Sequence, residues 1–283
     1  MMNLRLAGWL LAALIGAVSG SALAADEPGK ERNPIAELAW QPGPVEFPLG
    51  SRASIKLPTQ TAALTEAESN KFLKLTGNLP TERLNIIAGG NWWATFEFDD
   101  AGYVKDDETI DADALLKQIR SSDGPSNEER RKMGLPELIT DGWSVPPHYD
   151  PATKRLEWGL RIHSATDNRP VINYTVRVLG RSGYERVVLV SAPESLDRDV
   201  AEFKKVLSGF DFNAGEKYGE FKQGDRVAQF GLAALVAGGA AAVATKTGFW
   251  KTLLAALAAG WKLVAAAAIA LVAGIGRLFK RKS

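Results

Sequence analysis

All 33 acidic residues of this 283-residue chain fall between Asp26 and Asp225, and the 58 residues that follow contain none. That partition constrains the fold more than any motif does. Val227 to Thr245 is a 19-residue stretch without charge, and a second apolar run, 253–276, is interrupted only by Lys262. Either run is long enough to cross about 30 Å of hydrocarbon at about 1.5 Å per residue. Both are rich in Ala and Gly, so each is only marginally hydrophobic. Residues 227–276 therefore read as a membrane-anchor region of one or two helices with the lipid bilayer as partner. Residues 277–283 (RLFKRKS) read as a basic tail.

The other end carries a complementary signal. Arg5 precedes an apolar run from Leu6 to Val18, followed by Ala22-Leu23-Ala24. This is the three-part pattern of a signal peptide, residues 1–24, with cleavage expected after Ala24. Residues 25–226 then hold 26 basic and 33 acidic groups, so the overall charge of +1 hides an acidic exported part and a basic end. Positive charge stays in the cytoplasm. The expected topology is one true span at the bacterial inner membrane, with the domain in the periplasm and the C-terminus in the cytoplasm. The second run would lie along the interface or beside the span. The sequence leaves open which run spans. No nucleic-acid partner is expected of an acidic domain.

The chain has no cysteine. That excludes thiol catalysis and Cys-based metal sites, and leaves packing alone to hold an exported fold. Residues 25–50 are rich in Pro and Gly and read as an extended lead-in with one edge strand. The exported domain spans 51–226.

Four helices are expected. Thr65 and Glu68 have capping-box spacing, with Gly77 as the stop. A second helix starts at Asp111 and aligns Ala112, Leu115, Leu116 and Ile119. A third, short helix starts at Ser126, with Glu129 as its box partner, and ends at Gly134. A fourth follows Pro193, aligns Leu196, Val200, Phe203 and Leu207, and stops at Gly209.

Strands show period two. In NWWATFEF, Trp92, Ala94, Phe96 and Phe98 share a face. In RLEWGLRIH, Leu156, Trp158, Leu160 and Ile162 point inward, while Arg161 and His163 point outward. VINYTVRVL and YERVVLV follow, joined by Gly180-Arg181-Ser182-Gly183, and the three read as a meander with one wet face. The class is α+β: antiparallel sheet with helices packed on one side, plus C-terminal membrane helices. The closing strand-helix-GFDF order resembles the PsbP/Mog1 type of fold.

The densest candidate for chemistry is DDAGYVKDDETIDAD, residues 99–113, with seven carboxylates. It fails as a calcium loop: Gly102 comes too early and no D-x-D-x-D-G frame exists. Asp99-Asp100-Ala101-Gly102 reads as a hairpin turn before a short strand, YVK. Asp111 is an N-cap, and Glu108 and Asp113 sit where a helix start favours negative charge. Asp106 and Asp107 remain without a structural role and are the candidates for acid–base or metal work. His148 lies in VPPHYDP, which reads as a rigid proline turn. H-E-x-x-H, G-x-S-x-G, S-x-x-K and G-x-G-x-x-G are all missing. ATKT at Ala244 departs from a Walker A loop at Thr245 and Ala240. No cofactor is expected.

A polar surface is expected where Arg161, His163, Asn173, Thr175 and Arg177 share the outer sheet face, suited to an anionic ligand or partner. Trp92 is assigned to the core. Trp93 is either an exposed contact residue or lies under the lead-in.

GNWWATFEFDDAGYVKDDETIDADALL, NEERRKMGLPEL, GWSVPPHYD, LEWGLR, NYTVRVLGRSGY and FKQGDRVAQFGLAALVAGGAAAVATKTG together resemble the bacterial membrane-anchored proteins grouped as domain of unknown function 2167. The resemblance covers Leu49 to Gly248. It implies an exported domain with a C-terminal membrane anchor, and implies no activity, cofactor or catalytic residue.

Three functions follow as expectations. The first is a membrane-anchored periplasmic binding or interaction protein of the cell envelope, with an envelope protein as candidate partner; this non-enzymatic role is favoured. The alternative is a carboxylate-dependent envelope hydrolase or transferase using Asp106 and Asp107, with or without a divalent ion. In the third, the membrane segments themselves act by assembling with other membrane proteins through Gly/Ala faces.

Overall fold

The computed structural model describes residues 33–238, apart from 77, 79, 80, 82, 91, 133 and 167. The expected signal peptide, the helix stop at Gly77, the chain from 239 to 276 and the basic tail lie outside those residues. No helix among the described residues is long and apolar enough to cross a membrane.

Eight strands form one antiparallel sheet in the order β1-β4-β5-β6-β10-β9-β8-β7. In chain order these are β1 (Gln41–Pro42), β4 (Thr61–Leu64), β5 (Leu84–Gly89), β6 (Trp92–Asp99), β7 (Leu138–Asp150), β8 (Arg155–Ser164), β9 (Pro170–Leu179) and β10 (Tyr184–Ser191). A second antiparallel sheet holds β2 (Val45–Leu49), β3 (Ala53–Leu57) and β11 (Phe210–Phe212), with β3 in the middle. The Pro/Gly-rich lead-in thus contributes two strands, β1 and β2, each at the edge of its sheet, where missing N–H donors are tolerated. Among the described residues four α-helices complete the α+β class: α1 (Glu66–Leu75), α2 (Ala112–Lys132), α3 (Leu196–Leu207) and α4 (Leu232–Ala237).

The helices α1, α2 and α4 gather on one side of the large sheet. There α1 buries Phe72 and Leu73 on Leu64, Leu84 and Ile86, while α2 and α4 bury Leu115, Ile119, Leu232 and Leu235 with Leu156, Trp158 and Leu160. The opposite face carries the small sheet together with α3. Phe203, fully buried, stands edge-on to Trp92 at 5.7 Å, between the sheets' Phe96 and Ile55. Burying such a side chain stabilises the fold by about 1.5–3 kcal/mol, and this layer fixes α3 as its period predicts.

Both faces of the meander are therefore largely covered, with Arg161 the one exposed residue of its strands, and the expected wet face is not found. The register shows why. Arg161 pairs with Ile172, and Leu156 pairs with Arg177. Asn173, Thr175 and Arg177 consequently share a face with Leu156, Trp158 and Leu160, and lie on the opposite side from Arg161 and His163. A one-residue change of register reverses every side chain of a strand.

Three local expectations are also corrected. The second and third helices are one, since α2 runs through Gly124 and Pro125. Pro125 removes a backbone donor, but the turns around it are tied to β7. Asp123 accepts from Thr140 N (2.9 Å) and Oγ1 (2.8 Å), and Asn127 exchanges two bonds with the backbone of Leu138. VPPHYD, Val145 to Asp150, is the end of β7 rather than a turn; the register shift between Val145 and His148 absorbs Pro146 and Pro147, and only Pro151 lies in the turn to β8. The capping box at α1 does not close: Thr65 makes no side-chain cap bond, and Glu68 holds Lys71 and the Ala39 N–H instead.

Candidate functional site

The acidic stretch resolves residue by residue. No hairpin follows Asp99. At Gly102 (φ 95°) a Cβ would sit 2.7 Å from the Arg226 carbonyl oxygen, so only glycine lets the two segments touch. Tyr103 then makes a single parallel bridge to Val227 in place of the expected strand. Its ring stacks on Tyr218 at 4.4 Å. Asp99 accepts from the Tyr184 hydroxyl at 2.9 Å. Asp111 caps α2 by accepting from Ala114 N at 3.0 Å. Glu108 also caps a helix, but a distant one: it accepts from Ala233 N at 3.0 Å, in the first turn of α4.

Asp106 and Asp107 part company. Asp106 is half-buried and accepts from the Tyr149 hydroxyl (2.6 Å) and Lys154 Nζ (2.9 Å). Burial works to raise its carboxyl, but the bonds from Lys154 and Tyr149 outweigh it and hold it below the usual carboxylate range. Asp107 is exposed and makes no hydrogen bond or ion pair with the described residues. Asp106 is thus committed to a half-buried ionic contact, and His148 is exposed on β7.

Trp93 lies under the lead-in. Its ring meets Phe72 at 5.1 Å, and Phe72 meets Trp40 at 6.0 Å, with Ile35 and Leu38 over the same cluster.

The structure brings Arg161 and His163 together around a residue that the sequence did not point to. A bulge between Thr140 and Gly142 turns Asp141 onto both. His163 Nδ1 lies 2.8 Å from Asp141 Oδ1, and Arg161 Nε lies 3.6 Å from Asp141 Oδ2. The Asp141 carboxylate thus orients the imidazole through Nδ1. Arg120 of α2 donates to the Thr140 carbonyl at 3.3 Å and to that of Asp141, pinning the bulge. The Asp-Gly pair at 141–142 is the local signal for this irregularity.

Arg177 stands elsewhere, in a polar strip between two apolar clusters on the helix-covered face. Thr95, Glu97, Thr175, Arg177 and Arg186 form its floor on the three central strands. Arg177 is 9% exposed, and its guanidinium is flanked by the rings of Trp158 (5.0 Å) and Tyr184 (5.7 Å). Its Nε and Nη1 are buried and have no hydrogen-bond partner among the described residues. Burial pulls this guanidinium down to about 10, which still leaves it charged at neutral pH. Across the strand pair, Arg186 binds Glu97.

Among the described residues, no three His, Asp or Glu side chains are grouped to hold a metal ion. The arrangement offers a carboxylate-oriented imidazole on one face and a buried, acceptor-poor guanidinium on the other.

These features define an α+β protein of two antiparallel sheets with polar groups set into its covered faces. The chain belongs to a family described as protein of unknown function (DUF2167), whose model matches residues 41–273. No curated protein matches it. Among solved structures it is similar to cyanobacterial PsbP (CyanoP) from Synechocystis sp. PCC 6803, at 11% identity and a TM-score of 0.34, covering 66% of this chain and 100% of that one.

Proposed function

We propose that this protein is a membrane-anchored binding or interaction module of the bacterial cell envelope, with its α+β domain in the periplasm and its C-terminus in the cytoplasm. The observation that supports it most is the charge partition: 33 carboxylates before residue 226, none after it, and seven basic groups from Lys246 onward. The docking of α4 adds to this reading. Leu232, Leu235 and Val236 are buried in the domain, so the first apolar run begins as part of the core, and 253–276 becomes the better candidate for the span. Reporter fusions at the C-terminus test the topology. A reporter active only in the cytoplasm should work and one active only in the periplasm should not; the reverse pattern overturns the proposal.

A second reading, an envelope hydrolase or transferase that uses carboxylates, draws on the Asp141–His163 pair, in which a carboxylate orients an imidazole, the side chain most used for proton transfer. It requires that Asp141→Asn and His163→Ala fail to restore a deletion strain while remaining folded. Full complementation by both variants removes it.

A further inference from the structure

We infer that the polar strip on the central strands is a binding site for a small oxyanion group, a carboxylate or a phosphate, with Arg177 as its anchor. Three observations carry this. The first is the missing acceptor. Buried donors in folded proteins are nearly always paired, and an unpaired buried guanidinium N–H calls for an ion or water to complete it. Arg177 is more than nine-tenths buried and leaves Nε and Nη1 unpartnered.

The second is the pairing of arginines. Arg177 sits directly opposite Arg186 on β10. Two guanidiniums at this spacing repel unless an anion lies between or beside them. Glu97 is bonded to Arg186 and Asp99 to the Tyr184 hydroxyl, so both reach Arg177 only through space. Arg177 therefore lacks a bonded counter-ion.

The third is preorganisation. Trp158 and Tyr184 flank the Arg177 guanidinium and hold it in place by cation–π attraction. A planar fork of N–H donors held in place is the group suited to bidentate recognition of carboxylate or phosphate. Arg186 and Glu97, 18% and 19% exposed, are the most exposed charged groups of the strip.

The site is independent of the membrane reading, because it lies within the described domain and is measured without a bilayer. The experiment is thermal unfolding of the full chain in detergent micelles, titrated separately with inorganic phosphate and with acetate against chloride at matched ionic strength. A saturable rise in the unfolding midpoint is expected with at least one of the two, by about 3–6 °C at a tenfold excess over the dissociation constant. Comparing the two titrations tells phosphate from carboxylate. Arg177→Met should abolish the rise, and Arg177→Lys, which keeps the charge but loses the fork, should weaken it. Equal rises in wild type and Arg177→Met, or an unsaturable rise in wild type, would show a general salt effect and overturn the inference. Should Arg177→Met not fold, an undiminished response in Arg177→Lys overturns it as well.

Discussion

Arg186 and Arg177 face each other across the β9–β10 ladder, and only Arg186 has a carboxylate to bind. The pair sets the electrostatics of the whole central strip. Removing Glu97 would leave two adjacent guanidiniums without a direct counter-ion. Glu97→Gln is expected to destabilise the domain by about 1.5–3 kcal/mol, what a hydrogen bond to a charged group contributes, because the pair is only partly buried. Chemical denaturation measures this, and a change near zero would mean that solvent screens the pair.

Asp106 and Asp225 should shape the acid limb of the stability curve. Asp225 is held at about 2 by the Arg181 hydrogen bond, against an ordinary value of 3.8, and Asp106 is also held low. A carboxyl that is depressed in the fold contributes stability above its unfolded value, lost as pH falls through the folded one. Wild type should lose stability between about pH 4 and pH 2. Asp106→Asn and Asp225→Asn should each make that loss shallower. Midpoints measured across this window would show the prediction wrong if the limb keeps its slope.

Glu185 should act in the opposite sense. It is 1% exposed, and its Oε2 has no partner. Burial, and then the nearby Glu97 charge, push its carboxyl well above the ordinary 4.5. The fold favours the protonated form, so the contribution of Glu185 to stability is fully present below about pH 4.5 and is lost as pH rises through the folded value. Glu185→Gln should be more stable than wild type at pH 7 and equal to it at pH 4. Denaturant titrations at the two pH values read this directly.

The docking of α4 predicts that part of the first apolar run belongs to the domain. Leu235 is 2% exposed in the cluster with Leu115 and Trp158. Leu235→Ala is expected to cost about 2–5 kcal/mol. Glu108→Ala, which removes the bond to Ala233 N, should cost about 1 kcal/mol. If neither variant shifts the unfolding of the full chain in detergent, residues 232–237 are not part of the cooperative unit.

The sequence by itself determined what depends on local pattern. Period two set the alternation of Trp92, Ala94 and Phe96, the 3.6 period set Leu196, Phe203 and Leu207 of α3, and Asp111 marked the start of α2 by its capping chemistry. The segments NWWATFEFDDAGYVK to FKQGDRVAQFG also sufficed to indicate the family. The tertiary structure decided what depends on contacts between distant segments. Which face Arg177 took rested on the β8–β9 register, and no residue of β9 encodes that register alone. Glu108 found a helix 125 residues further along the chain. Pro125 stayed inside α2 because Asp123 and Asn127 reach a separate strand. Asp141 met Arg161 and His163 only through a bulge. In each case the deciding energy comes from a partner far away in sequence, so local propensity and spacing carry no record of it.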